Sequence, residues 1–407
     1  MKKEGINVEQ LLKYLPDSDL EAIGESSQVD YQVKRLHGKT VFKLLLYGLL
    51  TQKELSLRIL ETLFENTRFQ TFAEITNVKP TDHSSIGDRL STMKLDYFES
   101  IYKQMSQRLS KEFSAVELKN IKIVRFDSTI VSISSKLLKI NGIKNGSKNK
   151  KEDKNQLNIK FTIGFDGLIP KEAVFQNEQT YVSEQIALGE ALTKAVISED
   201  EMLVFDQGMS SRKRFGEMNS EGKLFVTRTR AQQPYGTKYK KVKDLTVFEK
   251  GKEPQTKTLT ILSDEEVHLY DDKGRKTKFT LRLIKAVRND NNTSIWFLTN
   301  NFDLSVEDIT EIYRLRWDIE LFFRFLKQEF GFTHLVSRNE NGIKIMLYMS
   351  LIAIMLIYIY RKLNAIESFR IAKLKFVNEL DKEILKIIIQ LCQGKPELLD
   401  LLHELRI

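Results

Sequence analysis

Cysteine is nearly absent from this 407-residue chain. Cys392 stands alone, which excludes an intramolecular disulfide framework and a thiolate zinc cluster and points to a reducing, cytoplasmic compartment. Proline is scarce, 6 in all, so rigid linkers are few and long uninterrupted helices are favoured. The five histidines, His37, His83, His268, His334 and His403, lack the paired spacing of metal ligands, and each reads as structural. No internal repeat is visible. The chain opens on Lys2 and Lys3 without a long apolar run after them, so no signal peptide is expected. One stretch is long and apolar, IMLYMSLIAIMLIYIY at 345–360. It falls short of the roughly 20 residues that span a bilayer and reads as a buried core helix, so no membrane partner is expected.

What is present describes a folded protein of two or three domains. Hydrophobic residues make up 41% and aromatics 10%, well above the range of disordered chains. Lys and Arg number 64 against 55 Asp and Glu, a formal charge of +9. That balance suits a polyanionic partner without proving one.

Residues 1 to about 115 read as helices throughout, and TDHSSIGDRLSTMK at 81–94 has the caps and short turn of a helix-turn-helix. At IKIVRFDSTIVSI, 121–133, β-branched residues announce a strand, expected to be interrupted at Asp127 and Ser128. A Lys- and Asn-rich loop follows at 139–156, either a plain surface loop or a phosphate-contacting flap. The order continues as two strands, a helix over 181–196, a strand EMLVFD ending on Asp206, a helix and a strand KLFVTR at 223–228. From about 230 to 300 four strands are expected: KTLTILS, EEVHLY, KFTLRLIKAV and SIWFLTN. Ser305 and Asp308 form a capping box, opening one helix that is expected to run through YRLRWDIELFFRFLK at 313–327. After 365, IAKLKFVNEL and KEILKIIIQLC read as two amphipathic helices that pair subunits or close the core.

On a continuous helix, Tyr313, Arg316, Glu320 and Lys327 fall within an arc of roughly 60°. Leu315, Ile319, Phe322, Phe323, Leu326 and Phe330 form the adjacent, buried stripe. A tyrosine, two cations and one carboxylate thus stand in line beside a hydrophobic anchor. Asp127 and Asp206 lie at strand positions where an α/β domain can bring them into the same cleft as Glu320. Three carboxylates in one cleft repel one another unless a divalent ion neutralises them, and their hard oxygens suit Mg²⁺.

The pattern Tyr313-x2-Arg316-x3-Glu320-x6-Lys327 resembles the Tyr-Arg-Glu-Lys signature of bacterial insertion-sequence transposases of the insertion sequence four family. FDST at 126–129 and VFDQG at 204–208 resemble the segments that hold the family's first and second aspartates. The resemblance spans about 118–365. Met209 departs from it, standing where many relatives have an aromatic. The resemblance implies an α/β (α+β) fold class: an RNase H-like catalytic core at 116–365 with a β-strand insertion at about 230–300, preceded by an all-helical, DNA-end-binding domain at 1–115 and followed by helices at 366–407 that are candidates for dimerisation. It implies a metal-dependent DDE enzyme whose Asp127, Asp206 and Glu320 bind two Mg²⁺ ions, with Mn²⁺ able to substitute. Such an enzyme cuts at terminal inverted repeats and transfers the 3′-hydroxyls into target DNA, as a homodimer in the DNA complex. Tyr313, Arg316 and Lys327 would hold backbone phosphates. Two other readings keep the fold: an RNase H-like nuclease such as a resolvase, and a non-catalytic DNA-binding regulator.

Around this core, Trp317 is expected to pack beneath the site and Trp296 to sit in a buried strand. Arg228 and Arg230 are candidates for DNA contact. Arg212, Lys213 and Arg214 start a basic helix that is either a solvated face or a phosphate contact.

Overall fold

The computed structural model describes every residue except 1–4, 77–78, 114–117, 119–120, 134–142, 145–156, 232–236, 250, 252, 272, 330–335, 338 and 397–407. The N-terminal part is helical: α1 (Val8–Leu12), α2 (Asp17–Ser27), α3 (Gly38–Thr51), α4 (Leu57–Phe64), α5 (Thr67–Ala73), α6 (His83–Thr92) and α7 (Leu95–Phe113). Their starts follow the side chains that satisfy otherwise unpaired helical N–H groups. Asn7, Ser56, Asn66 and Asp82 each accept a backbone N–H at an N-cap.

Among the described residues, ten strands form one sheet: β1 (Lys122–Ile133), β2 (Ile143–Lys144), β3 (Leu157–Phe165), β4 (Pro170–Gln176), β5 (Glu201–Phe205), β6 (Leu224–Thr229), β7 (Tyr239–Thr246), β8 (Leu259–Leu269), β9 (Leu281–Arg288) and β10 (Ser294–Thr299). The sheet runs β2-β3-β1-β5-β6-β10-β9-β8-β7, with β4 paired to β3. β3 is antiparallel to β1 and β4, whereas β1, β5 and β6 are parallel. This mixed α+β arrangement fits an RNase H-like core. The strands after 230 do not form a body of their own. β10 pairs with β6 and carries the same sheet outward.

Alternation sorts the strand residues onto two faces. Val124, Phe126, Leu203, Phe205 and Phe225 pack under α8 (Glu184–Lys194) and α9 (Arg212–Ser220). Ile123, Met202, Val204 and Val226 pack under α10 (Val306–Arg314). Because both faces are covered, β5 is buried along its whole length and reads as an apolar run rather than an alternation.

A third core joins the N-terminal helices to α11 (Trp317–Glu329), α12 (Glu340–Leu363) and α13 (Phe369–Leu391). α12 contains the apolar stretch at 345–360. It is long and apolar enough to cross a membrane, yet 94% of its most apolar window is buried inside the protein. A helix that is apolar all round needs burial all round, and here α3, α6, α7 and α13 supply it. Phe322 of α11 stacks near Phe165 of β3 and Tyr358 of α12, with centroid distances of 4.8 and 5.9 Å. This aromatic contact ties the helical body to the sheet.

Several local expectations change. β1 is continuous through Asp127 and Ser128, because both keep their partners on β3, Ile163 and Thr162. KTLTILS and EEVHLY are one strand, β8, which absorbs a register shift at Ile261/Ser263 as a bulge, and β7 is an additional edge strand. The segments after 365 are one helix, α13, held by the stripe Ala372, Phe376, Leu380 and Ile384. The helix expected through 305–327 is two helices that meet at Leu315 and Arg316. The capping box of Ser305 and Asp308 is formed. The loop at 139–156 lies outside the described residues except for β2, and so does Phe330 of the expected stripe.

Candidate active site

Asp127 and Asp206 arrive side by side through strand pairing. Phe126 of β1 is the parallel partner of Phe205 of β5, so the next residues stand at the same level, Asp127 within β1 and Asp206 just past the end of β5. Glu320 comes from α11. Ile319, Phe322, Phe323 and Leu326 of that helix are buried, which leaves Glu320 on the flank that faces the sheet.

The joint between α10 and α11 decides how the signature residues meet. α10 ends at Leu315, and the chain turns through tight bonds: Arg316 N–H to Tyr313 O at 3.0 Å, Asp318 N–H to Leu315 O at 3.1 Å and Ile319 N–H to Arg316 O at 3.2 Å. The common arc of a single helix is therefore lost, and convergence depends on the joint. Arg316 projects from it between two carboxylates. One guanidinium nitrogen lies 3.5 Å from Asp127 Oδ2, and another donates to Glu320 Oε1. Tyr313 donates its hydroxyl to Asp206 Oδ1 at 3.3 Å, and its ring lies 5.8 Å from the Arg316 guanidinium. Burial raises the Tyr313 phenol above its usual pKa, so it stays a hydrogen-bond donor.

Asp127 is pushed up to a pKa of about 6, chiefly by burial. The Ser128 N–H and the Arg316 guanidinium pull it down, while Glu184 and Asp206 add like charge. Lys327 lies on the exposed side of α11; crowding by protein lowers its pKa, with Asp127 opposing the shift by attraction. Among the described residues Lys327 has no hydrogen-bond partner, so of the six predicted residues five are linked by direct contacts and one stands at the edge.

Residues with no motif signal also belong here. Glu184, at the start of α8, approaches because Gly208 lacks a side chain: a Cβ there would lie 2.5 Å from Glu184 Cγ. Lys160 of β3, almost wholly buried, pairs with Glu184 at 2.7 Å. Arg125 is buried two residues before Asp127. Only the glycine of VFDQG hinted at such a close approach. Among the described residues, the buried Nε atoms of Arg228 and Arg316 have no hydrogen-bond partner.

Other candidates are placed differently. Trp317 is 52% exposed and does not pack beneath the site, because it opens α11 on the side away from the buried stripe. Trp296 is partly buried, edge-on to Tyr239 at 6.0 Å with the Lys285 ammonium 5.3 Å from its ring. Arg214 donates to the Gly189 carbonyl at 2.8 Å and so braces α8, whereas Lys213 is solvated. Arg230 is exposed, and Met209 is buried.

Carboxylates from three segments offer hard oxygens, and a half-buried Asp127 among like charges gains from a cation. Among the described residues, no three Asp, Glu, His or Cys side chains converge into a ready-made metal cage. Arg316 supplies the positive charge between Asp127 and Glu320 instead. The chemistry of the donors fits the ion.

Residues 119–356, more than half of the chain, match the family model of the transposase DDE domain. The chain belongs to the DDE transposase family. It is 28% identical over 163 residues to a Sinorhizobium fredii protein named for a transposase, y4zB, covering 40% of this chain and 43% of that one. It is 33% identical over 88 residues to a Synechocystis protein named for the transposase of insertion sequence element IS4SA, covering 19% and 26%. A Geobacillus stearothermophilus protein named for the transposase of IS5377 is 27% identical over 180 residues, covering 44% of each chain. The matched segments thus span less than half the length of these relatives.

Proposed function

We propose that this chain is the transposase of an insertion sequence of the insertion sequence four type, cutting DNA at the element's terminal inverted repeats and joining the 3′-hydroxyls to target DNA by cut and paste. The observation that supports this reading is that Arg316 reaches both Asp127 and Glu320 while the neighbouring Tyr313 reaches Asp206, within a chain that matches the DDE domain. Asp127, Asp206 and Glu320 would hold two Mg²⁺ ions, with Mn²⁺ as a substitute. When bound, such ions activate the attacking oxygen and stabilise the leaving one in phosphodiester chemistry.

The chain's own residues do the rest. Arg316 and Lys327 bind backbone phosphates by charge-assisted bonds. Tyr313 steadies Asp206 and presents a hydroxyl to the same backbone. The unpartnered Nε donors of Arg316 and Arg228 support an anion at this place, since buried donors without acceptors are costly. Carrying phosphate-binding groups on the joint next to Glu320 sets the scissile bond in register with the carboxylates. The helices of 1–115 would read the ends, and a homodimer would hold both ends together.

The test uses purified protein, Mg²⁺ and a DNA fragment with the gene's own flanking sequence, with Glu320→Gln alongside. Discrete cuts at both flanks and joining into a plasmid, both lost in Glu320→Gln, are expected. Cuts without joining would make the protein a nuclease. Binding without any metal-dependent cut would overturn the catalytic reading and favour a regulator.

A further inference from the structure

Arg125 is fully buried, a position where an arginine is tolerated only if its donors are used. It sits on β1 two residues before Asp127, so both side chains point to the same face of the sheet. Its Nε donates to the Leu315 carbonyl at 2.8 Å, one Nη to the Ile123 carbonyl at 2.9 Å, and the other Nη lies 3.4 Å from Asp318 Oδ2. Leu315 is the cap where α10 stops, and Asp318 is in the first turn of α11.

The chemistry of a helix joint makes this contact consequential. The last carbonyls of a helix have no N–H partner within it and carry partial negative charge. The Leu315 carbonyl accepts the Asp318 N–H of the joint, and the guanidinium adds a charged second donor to it while another arm reaches a carboxylate on α11. Between the two contacted residues lies Arg316, and two residues beyond Asp318 lies Glu320. A lysine has one point of donation and cannot serve the three directions that the planar fork serves here.

We propose that Arg125 is a positioning residue: from the strand that carries Asp127, it holds the joint of α10 and α11 and so sets Arg316 and Glu320 against Asp127. The inference rests on the reading of Asp127 and Glu320 as one catalytic set. Arg125 touches neither DNA nor the reacting atoms in this role. It acts by defining the distance between the sheet and the helix, and a displacement of about 1 Å in such a set costs on the order of a hundredfold in rate.

Trp317 lies inside the joint and reports on it. There are 2 tryptophans, so a Trp296→Phe parent leaves Trp317 as the only one. Arg125→Lys and Asp318→Asn are made in that parent. Each is followed by circular dichroism, iodide quenching of Trp317 without metal or DNA, flank-DNA affinity in Ca²⁺, and single-turnover cleavage at saturating DNA in Mg²⁺. Arg125→Lys is expected to fold, to change Trp317 quenching, to slow cleavage about a hundredfold and to shift the DNA Kd by less than about threefold. Asp318→Asn, which removes one of the contacts, is expected to slow cleavage about three- to tenfold, again with DNA affinity retained.

Parent-like quenching and cleavage in a folded Arg125→Lys would overturn the proposal. If Arg125→Lys does not fold, Asp318→Asn decides, and parent-like quenching and cleavage there would overturn it. If the Trp296→Phe parent itself does not cut, the functional reading fails separately, and unchanged quenching in the variants still refutes the joint.

Discussion

Asp127→Asn should make the protein more stable while abolishing its chemistry, and the size of the gain should depend on pH. The Asp127 carboxyl has a pKa of about 6 in the fold, against 3.8 for the ordinary group. At about 1.4 kcal/mol per pH unit, the difference corresponds to about 3 kcal/mol. Because the folded-state value lies above the unfolded one, the fold prefers the neutral acid. Its full contribution is present below pH 3.8 and is lost as pH rises through about 6. Asparagine stays neutral and loses nothing over that interval. At pH 8 the variant should therefore exceed the native protein by about 3 kcal/mol, or about 3 °C in thermal midpoint for a chain of this size. Below pH 4 the two should coincide. Thermal melts of both proteins from pH 3.5 to 8 in EDTA measure this directly. Adding Mg²⁺ at pH 8 should then raise the native midpoint and leave Asp127→Asn behind, by mass action on the folded state. A variant that is less stable than the native protein at pH 8 would refute the account of Asp127 as a carboxylate held against its own burial.

Two further outcomes follow from other parts of the molecule. Arg282 grips the buried Asp264 with two bonds of 2.8 and 2.9 Å and the Leu304 carbonyl with a third of 2.6 Å, so Arg282→Met should cost about 3–5 kcal/mol in denaturant unfolding, much of it recovered by adding Asp264→Leu. Lys327→Met should weaken binding to flank and unrelated DNA alike and lower the salt dependence of log Kd by about one, whereas an unchanged slope in a salt titration would remove Lys327 from the phosphate contacts.

The periodicities of the chain were sufficient for most of its elements, though not for the edge strand β7 or the break between α10 and α11. β-Branched runs predicted β1 and β3, and a short apolar run predicted β5. The absence of charged residues from 345–360 predicted a helix buried on every side, because no solvent-facing stripe was available to it. The acidic residues were legible by type and place: Asp127 within a strand, Asp206 just past one, and Glu320 on a helix with an apolar flank. Gly208 was visible as part of VFDQG, but not the close approach of Glu184 that it permits.

What sequence could not decide was everything that depends on two distant segments meeting. Leu315 and Arg316 have ordinary helical propensity, and nothing local stops a helix there. The break is stabilised by Arg125, 190 residues away, which donates to the Leu315 carbonyl at the turn. Likewise the strands after 230 read as an insertion, and only the pairing of β10 with β6 makes them part of the catalytic sheet. Chain order alone thus determined which residues have the chemistry, since residue type and local period are properties of a short window. Tertiary structure determined which of them share a charge, because a guanidinium can bridge Asp127 and Glu320 only after a strand and a helix joint have been packed together.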